Sequence, residues 1–129
     1  MRKKIAILGS TGSIGKTLIK IIKKDQKNFD VILLTAHKNY NEIFNQAKIL
    51  NVKNLVITNE ISFQKLKKKK LGKIKIYNNY NSFNNIFKKK VDYVMSSISG
   101  IDGLEPTVKI IKHTKKIAIA NKESIICGW

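Results

Sequence analysis

Short runs of β-branched and aliphatic residues alternate along this chain with longer stretches of helical period, and no other feature restricts the fold as much. Lys3-Lys4-Ile5-Ala6-Ile7-Leu8 is an apolar segment stopped by Gly9, the form of a parallel strand buried on both faces. Over residues 14–24, Ile14, Leu18, Ile19, Ile21 and Ile22 are expected on one face of a helix, with lysines opposite. The pair of signals then recurs. Strands are expected over 31–34, 55–58, 74–80 (with its turn), 91–95 and 117–120. Helices are expected over 42–50, 61–70 and 83–90, and from Pro106, which suits a first helical turn, to about 113. Ile43, Phe44, Ala47 and Leu50 form the inward side of the second helix. Such alternation gives a doubly wound, mostly parallel α/β sheet with helices on both faces and right-handed crossovers. With 129 residues, one Pro and no repeat, the chain reads as a single domain.

Ligands of doubly wound sheets bind beyond the carboxyl ends of the strands, where strand order reverses. Three clusters follow strands in this way. The first, Gly9-Ser10-Thr11-Gly12-Ser13-Ile14-Gly15, lies between the first strand and first helix with G-x-x-G-x-x-G spacing. Glycines there allow a tight turn and close backbone approach, and the helix start presents amides to a pyrophosphate. The last glycine lets the helix lie against the strand, while Gly12 is expected to leave room for the ligand and to adopt positive φ. Gly15-Lys16-Thr17 matches the end of a P-loop, but Ser10 stands where that motif needs its leading glycine.

The second cluster, Thr35 to Tyr40, lies where NAD sites place an acidic residue for the ribose hydroxyl, and it holds no carboxylate. Lys38 can pair with the extra phosphate of NADP, with His37 and Asn39 as neighbouring donors. In the third, Ala120-Asn121-Lys122-Glu123-Ser124, an amide, a cation and a carboxylate end the last strand side by side. Each cluster also has a bland reading: a packing turn, a solvated loop, an exposed strand end.

The net charge of +18 points toward nucleic acid, yet 25 of the 26 basic residues are Lys and only Arg2 is Arg. Readers of bases and phosphates favour Arg and add aromatic platforms. Lys, Ile and Asn share A/T-rich codons, so composition accounts for the surface, and no specific nucleic-acid partner is expected. Lys67 to Lys70 and Lys88 to Lys90 read as solvated helix ends. Cys127 has no internal partner, no apolar stretch spans a bilayer, and the basic start lacks the long apolar core of a secretory signal. The reading is cytoplasmic, without membrane association.

The glycine cluster, Gly103-Leu104-Glu105-Pro106-Thr107 and Ala120-Asn121-Lys122-Glu123-Ser124 occur in the order found in 1-deoxy-D-xylulose 5-phosphate reductoisomerases, and the chain resembles that family over essentially its whole length. The resemblance implies a Rossmann-like, NADPH-binding amino-terminal domain over residues 1–129. The family rearranges 1-deoxy-D-xylulose 5-phosphate on a divalent metal (Mg or Mn) and reduces the resulting aldehyde with NADPH. The product is 2-C-methyl-D-erythritol 4-phosphate, in the non-mevalonate route to isoprenoids. By motif, Thr11, Gly12, Ser13 and Ile14 correspond to pyrophosphate contacts. His37, Lys38 and Asn39 correspond to a Gly-Lys-Asn that meets the adenosine phosphate, with His37 in place of Gly. Asn121 and Glu123 correspond to NADPH contacts and Lys122 to a sugar-phosphate contact. The resemblance also implies homodimeric full-length enzymes whose metal ligands, lid and substrate-phosphate pocket lie beyond Trp129. The chain by itself is then a fragment expected to be inactive, with no catalytic or metal residue of its own. A non-catalytic NADP-binding domain and a basic nucleic-acid-binding module are the alternatives.

Overall fold

Four consecutive residues of β1 (Lys3–Leu8), from Ile5 to Leu8, are wholly buried, and a strand that apolar needs cover on both faces. The computed structural model, which describes residues 2–98 and 100–119, places β1 inside a six-stranded sheet. Its partners are β2 (Phe29–Ala36) and β5 (Val91–Ser96). Outside β2 lie β3 (Asn54–Ile57) and the edge strand β4 (Lys75–Tyr77), and outside β5 lies β6 (Thr114–Ile119). Every pairing is parallel, as the buried strand runs require. The order β4-β3-β2-β1-β5-β6 reverses between β1 and β5, and this defines the Rossmann-like switch point.

Parallel neighbours need crossovers, and these carry α1 (Ser13–Lys23), α2 (Tyr40–Leu50), α3 (Glu60–Lys67), α4 (Phe83–Ile86) and α5 (Leu104–Ile110). Ile5 and Ile7 pack in one core with Ile19, Ile22, Ile43, Ala47, Leu50 and Leu66, the inner faces of α1, α2 and α3. Ala6 and Leu8 point the other way, into a core with Phe83, Phe87 and Ile110 from the α4 and α5 side. The four-residue apolar run in β2 is shared between the cores by a bulge. Ile5 pairs with Val31 but Ala6 pairs with Leu33, so Ile32 and Leu33 both face the α4 and α5 side. Leu34 then returns to the first core.

Ile43, Phe44, Ala47 and Leu50 are all buried in α2, as their spacing requires. On α1 the expectation fails in part, because Ile14 is 47% and Ile21 58% exposed. The buried stripe is Gly15, Ile19 and Ile22. At 3.6 residues per turn, Ile14 and Ile21 lie about 100° or more from its midline. The helix expected over 83–90 is only the single turn of α4, preceded by a 3-10 turn at Tyr80–Ser82. Phe87 leaves the helix to stack on His113, 5.2 Å between ring centroids, and Lys88 to Lys90 are exposed. Pro106 does occupy the first turn of α5, which begins two residues earlier. Residue 120 of the last expected strand lies outside the described residues. Among the described residues no helix is long and apolar enough to cross a membrane.

This partition predicts unequal costs along the chain. Leu55→Ala, in the fully buried centre of β3, should lower the urea-unfolding free energy by about 2–5 kcal/mol. Ile21→Gln, on the outer side of α1, should change it by less than about 0.5 kcal/mol.

Candidate functional site

The turn leaving β1 is fixed before any ligand is considered. Gly9 has φ +77, a left-handed conformation that side chains disfavour, and a Cβ there would lie 2.8 Å from Ile98 Cγ1. The Gly9 and Ser10 amides both donate to Thr35 O, at 3.1 and 2.9 Å, and Gly9 N also reaches Thr35 Oγ1 at 3.0 Å. From the other flank, Ser97 Oγ lies 2.8 Å from Leu8 O and 3.0 Å from Gly9 O, sharing its proton between two carbonyls. One hydroxyl from β2 and one from just past β5 therefore hold the turn. A Cβ on Gly15 would overlap the Gly9 carbonyl and lie 2.6 Å from Ser10 Cα, so α1 approaches the turn in the way the third glycine suggests.

Gly12 behaves differently from expectation. Its φ is −76, so positive φ belongs to Gly9, and a Cβ on Gly12 would meet only Gly9 O, at 3.8 Å. Gly12 is the N-cap of α1, with no side chain capping the helix and no acid in its first turn. The other two long helices are capped by asparagines. Asn39 Oδ1 accepts from Glu42 N in α2 and Asn59 Oδ1 accepts from Ser62 N in α3. The positive end of the α1 dipole is thus left for something other than a side chain of its own turn.

Beyond this turn opens a cleft of about 590 Å³, in the range of small-molecule sites. Its floor is Gly9, Thr11 and Gly12 after β1, and Thr35, Ala36 and His37 at the end of β2. Its walls are Thr58 after β3, Asn78, Asn79 and Tyr80 after β4, Ser97 and Ile98 after β5, and then Asp102 and Glu105. Among the described residues no Lys or Arg lines it, although the chain carries 26, whereas two of the eight acidic residues do. His37 Nδ1 lies 2.7 Å from Thr58 Oγ1, so a polar pair links the ends of β2 and β3 beside the Tyr80 wall. Burial, and after it the Glu105 carboxylate, push the Tyr80 phenol above its ordinary value. Tyr80 is a neutral hydrogen-bonding group near pH 7.

Of the residues expected at the site, Thr11, Gly12 and His37 line the cleft. Ser13, Ile14, Lys38 and Asn39 are exposed at the same strand ends but do not form its wall, and the Asn39 oxygen is taken up as the α2 cap. Asn121, Lys122 and Glu123 lie outside the described residues. Glu105, from the Gly103-Leu104-Glu105-Pro106-Thr107 block, stands in the cleft wall with Lys109 Nζ at 2.8 Å. Sequence reasoning passed over Thr58, Asn78 to Tyr80 and Ser97. Their signal was available, since each stands at or just past the carboxyl end of an expected strand, but no motif drew attention to them. Among the described residues no three His, Cys, Asp or Glu side chains converge as metal ligands.

Residues 5–128 match the family model of 1-deoxy-D-xylulose 5-phosphate reductoisomerase. The chain is 59% identical over 130 residues to the reductoisomerase of Pelagibacter ubique, covering 98% of this chain and 34% of that protein. It is 42% identical to that of Wolbachia pipientis wMel, covering 98% and 32%. Among solved structures it resembles the reductoisomerase from Zymomonas mobilis in complex with NADPH, with TM-score 0.87 and 30% identity over 98% of this chain and 34% of that one. A reductoisomerase in complex with NADPH, fosmidomycin and magnesium gives TM-score 0.85 at 26% identity, over 96% and 31%. The chain spans about a third of the length of the curated relatives it matches.

The glycines of the turn should separate by substitution. Gly15→Ala is expected to lower the unfolding free energy by about 3 kcal/mol or more, because helix and turn cannot both keep their places. Gly12→Ala should cost less than about 1 kcal/mol, the scale of a changed N-cap. Urea titrations of both variants measure the difference.

Proposed function

This chain belongs to the 1-deoxy-D-xylulose 5-phosphate reductoisomerase family, and on that premise we propose that residues 1–129 form the NADPH-binding domain of such an enzyme. The observation that carries the reading is the uncapped start of α1, with Gly12 leaving open space where the turn meets the cleft. The residues fit a dinucleotide. Thr11, Gly12, Ser13 and Ile14 bring a hydroxyl, main-chain amides and the helix dipole to the pyrophosphate. The Rossmann-like order sets this loop at the switch point, between the β2 and β5 ends.

NADP rather than NAD follows from the end of β2. Ala36 is followed by His37, Lys38 and Asn39, with no carboxylate to meet a ribose hydroxyl. Lys38 provides the charge for the additional phosphate from beyond the cleft wall, and its neighbour His37 lines the cleft floor. Asn39 keeps an amide N–H₂ for the ligand while its oxygen caps α2. By motif, Asn121 and Glu123 complete the cofactor contacts and Lys122 meets the sugar phosphate.

When bound, NADPH supplies a hydride to a carbonyl carbon. In the whole enzyme that carbonyl belongs to the aldehyde formed by rearrangement of 1-deoxy-D-xylulose 5-phosphate. The product, 2-C-methyl-D-erythritol 4-phosphate, feeds isoprenoid synthesis by the non-mevalonate route. We assign the Mg or Mn ligands and the catalytic lid to the two thirds of the relatives' length that this chain does not span. Homodimeric assembly of the full enzyme and a cytoplasmic location are part of the same proposal. No specific nucleic-acid partner is included, because 25 of the 26 basic residues are Lys, a surface that composition accounts for.

Two experiments test the reading. NADPH should bind at least about tenfold more tightly than NADH, and Lys38→Ala should narrow that gap while leaving NADH nearly unchanged. Equal affinities for the two cofactors in the parent chain would defeat the assignment. In the second, NADPH oxidation with 1-deoxy-D-xylulose 5-phosphate and Mn²⁺ should stay at background for the 129-residue chain and appear only with the remaining length of a relative supplied. Turnover by the chain alone would show that the division of labour is wrong.

A further inference from the structure

We propose that Gln46, on the buried side of α2, is a positioning residue for the glycine turn, holding the Ser10 carbonyl so that the Thr11 amide is presented to the cleft. The proposal rests on reading the cleft as the NADPH site, but it concerns a residue outside the cleft wall. Gln46 is 2% exposed and Ser10 is fully buried. Gln46 Nε2 donates to Ser10 O at 2.9 Å, across 36 residues of sequence.

The state of the other turn amides explains why this carbonyl matters. The Gly9 and Ser10 amides both donate to Thr35 O, and Gly12 N donates to Gly9 O at 3.4 Å. Among the described residues the Thr11 N–H has no protein acceptor, and Thr11 lines the cleft. The described peptide bonds are all trans, so each C=O and the N–H that follows it point to opposite sides of the chain. With Ser10 O fastened on the α2 side, the Thr11 N–H is turned the other way. An amide aimed outward and not used by the protein is a donor for an anionic oxygen.

Packing alone does not account for a glutamine here. Gln46 Oε1 and Ser10 Oγ are the two buried side-chain polar atoms without partners among the described residues, and they belong to the two residues this bond joins. A leucine would fill the same buried face, beside Ile43, Ala47 and Leu50, but would leave the buried Ser10 carbonyl without its donor. The glutamine serves the one carbonyl it reaches, and that bond fixes the peptide between Ser10 and Thr11.

The test titrates NADPH against the 129-residue chain, Gln46→Leu and Gln46→Glu, and reads the ¹⁵N order parameter of the Thr11 amide in the cofactor-free proteins. Gln46→Leu should stay folded although it melts below the parent, bind NADPH about tenfold more weakly, and show a Thr11 order parameter falling toward about 0.6. Gln46→Glu can donate to Ser10 O only when its carboxyl is protonated, a form that burial favours. Its affinity relative to the parent should therefore recover between about pH 8 and pH 6.

A folded Gln46→Leu with unchanged affinity and order parameter overturns the proposal, as does a Gln46→Glu whose relative affinity ignores pH. Unfolding of both variants also overturns it, by making Gln46 structural; if only Gln46→Leu unfolds, the pH profile of Gln46→Glu decides. Should the parent fail to bind NADPH, the reading of the cleft falls, and the Thr11 order parameter decides the positioning separately.

Discussion

Helix α1 lies so close to the turn leaving β1 that one methyl group on Gly15 would overlap the Gly9 carbonyl and the Ser10 backbone. The site depends on that approach. It seats Ile19 and Ile22 in the core under β1, and it brings the start of the helix to the switch point of the sheet. A turn this tight leaves polar groups of its main chain buried, and each must find a partner. Thr35 from β2 and Ser97 just past β5 supply hydroxyls from the two sides of β1, and Gln46 reaches in from α2. The glycine cluster is therefore a junction held from three directions.

The large positive charge is distributed in a way that spares this junction. Lysines cover outer helix faces, and several lie over aromatic rings: Lys48 is 4.6 Å from the Phe44 ring centroid and Lys67 is 4.9 Å from that of Phe63. Their stems shield apolar surface while the ammonium groups stay in water, and the rings favour the cations. The cleft instead combines glycine backbone, small hydroxyls and amides with Asp102 and Glu105. An anion there meets amide hydrogens and a helix dipole at the floor, with Lys38 beyond the wall, rather than a field of lysines.

The Gly103-Leu104-Glu105-Pro106-Thr107 block has a physical division of labour. Thr107 Oγ1 lies 3.0 Å from Ser96 Oγ in a buried pair that fastens α5 to the end of β5. Pro106, in the first turn, is buried as well. With its neighbours anchored, Glu105 is delivered to the cleft wall, where it also pairs with Lys109. The last turns on this side end at His113, whose ring stacks on Phe87 and whose burial, with Lys112 beside it, lowers its pKa. That histidine packs on the second core through Phe87 and does not line the cleft.

Order and type of the elements were legible in the residues, because a strand buried on both faces and a helix buried on one leave different local periods. The glycine turn was legible for the same reason: tight backbone approach needs a residue without Cβ, whatever surrounds it. Local pattern could not say which side of α1 turns inward, since Ile14 and Ile21 are as apolar as Ile19 and only contact with the sheet distinguishes them. It could not show the bulge that sends both Ile32 and Leu33 to one face, because a run of four aliphatic residues has no period to break. Nor could it bring Thr58, Tyr80, Glu105 and Gln46 to the turn at Gly9. Those residues come from four separate crossovers, and their neighbours are set by strand order, which parallel pairing across the whole sheet decides.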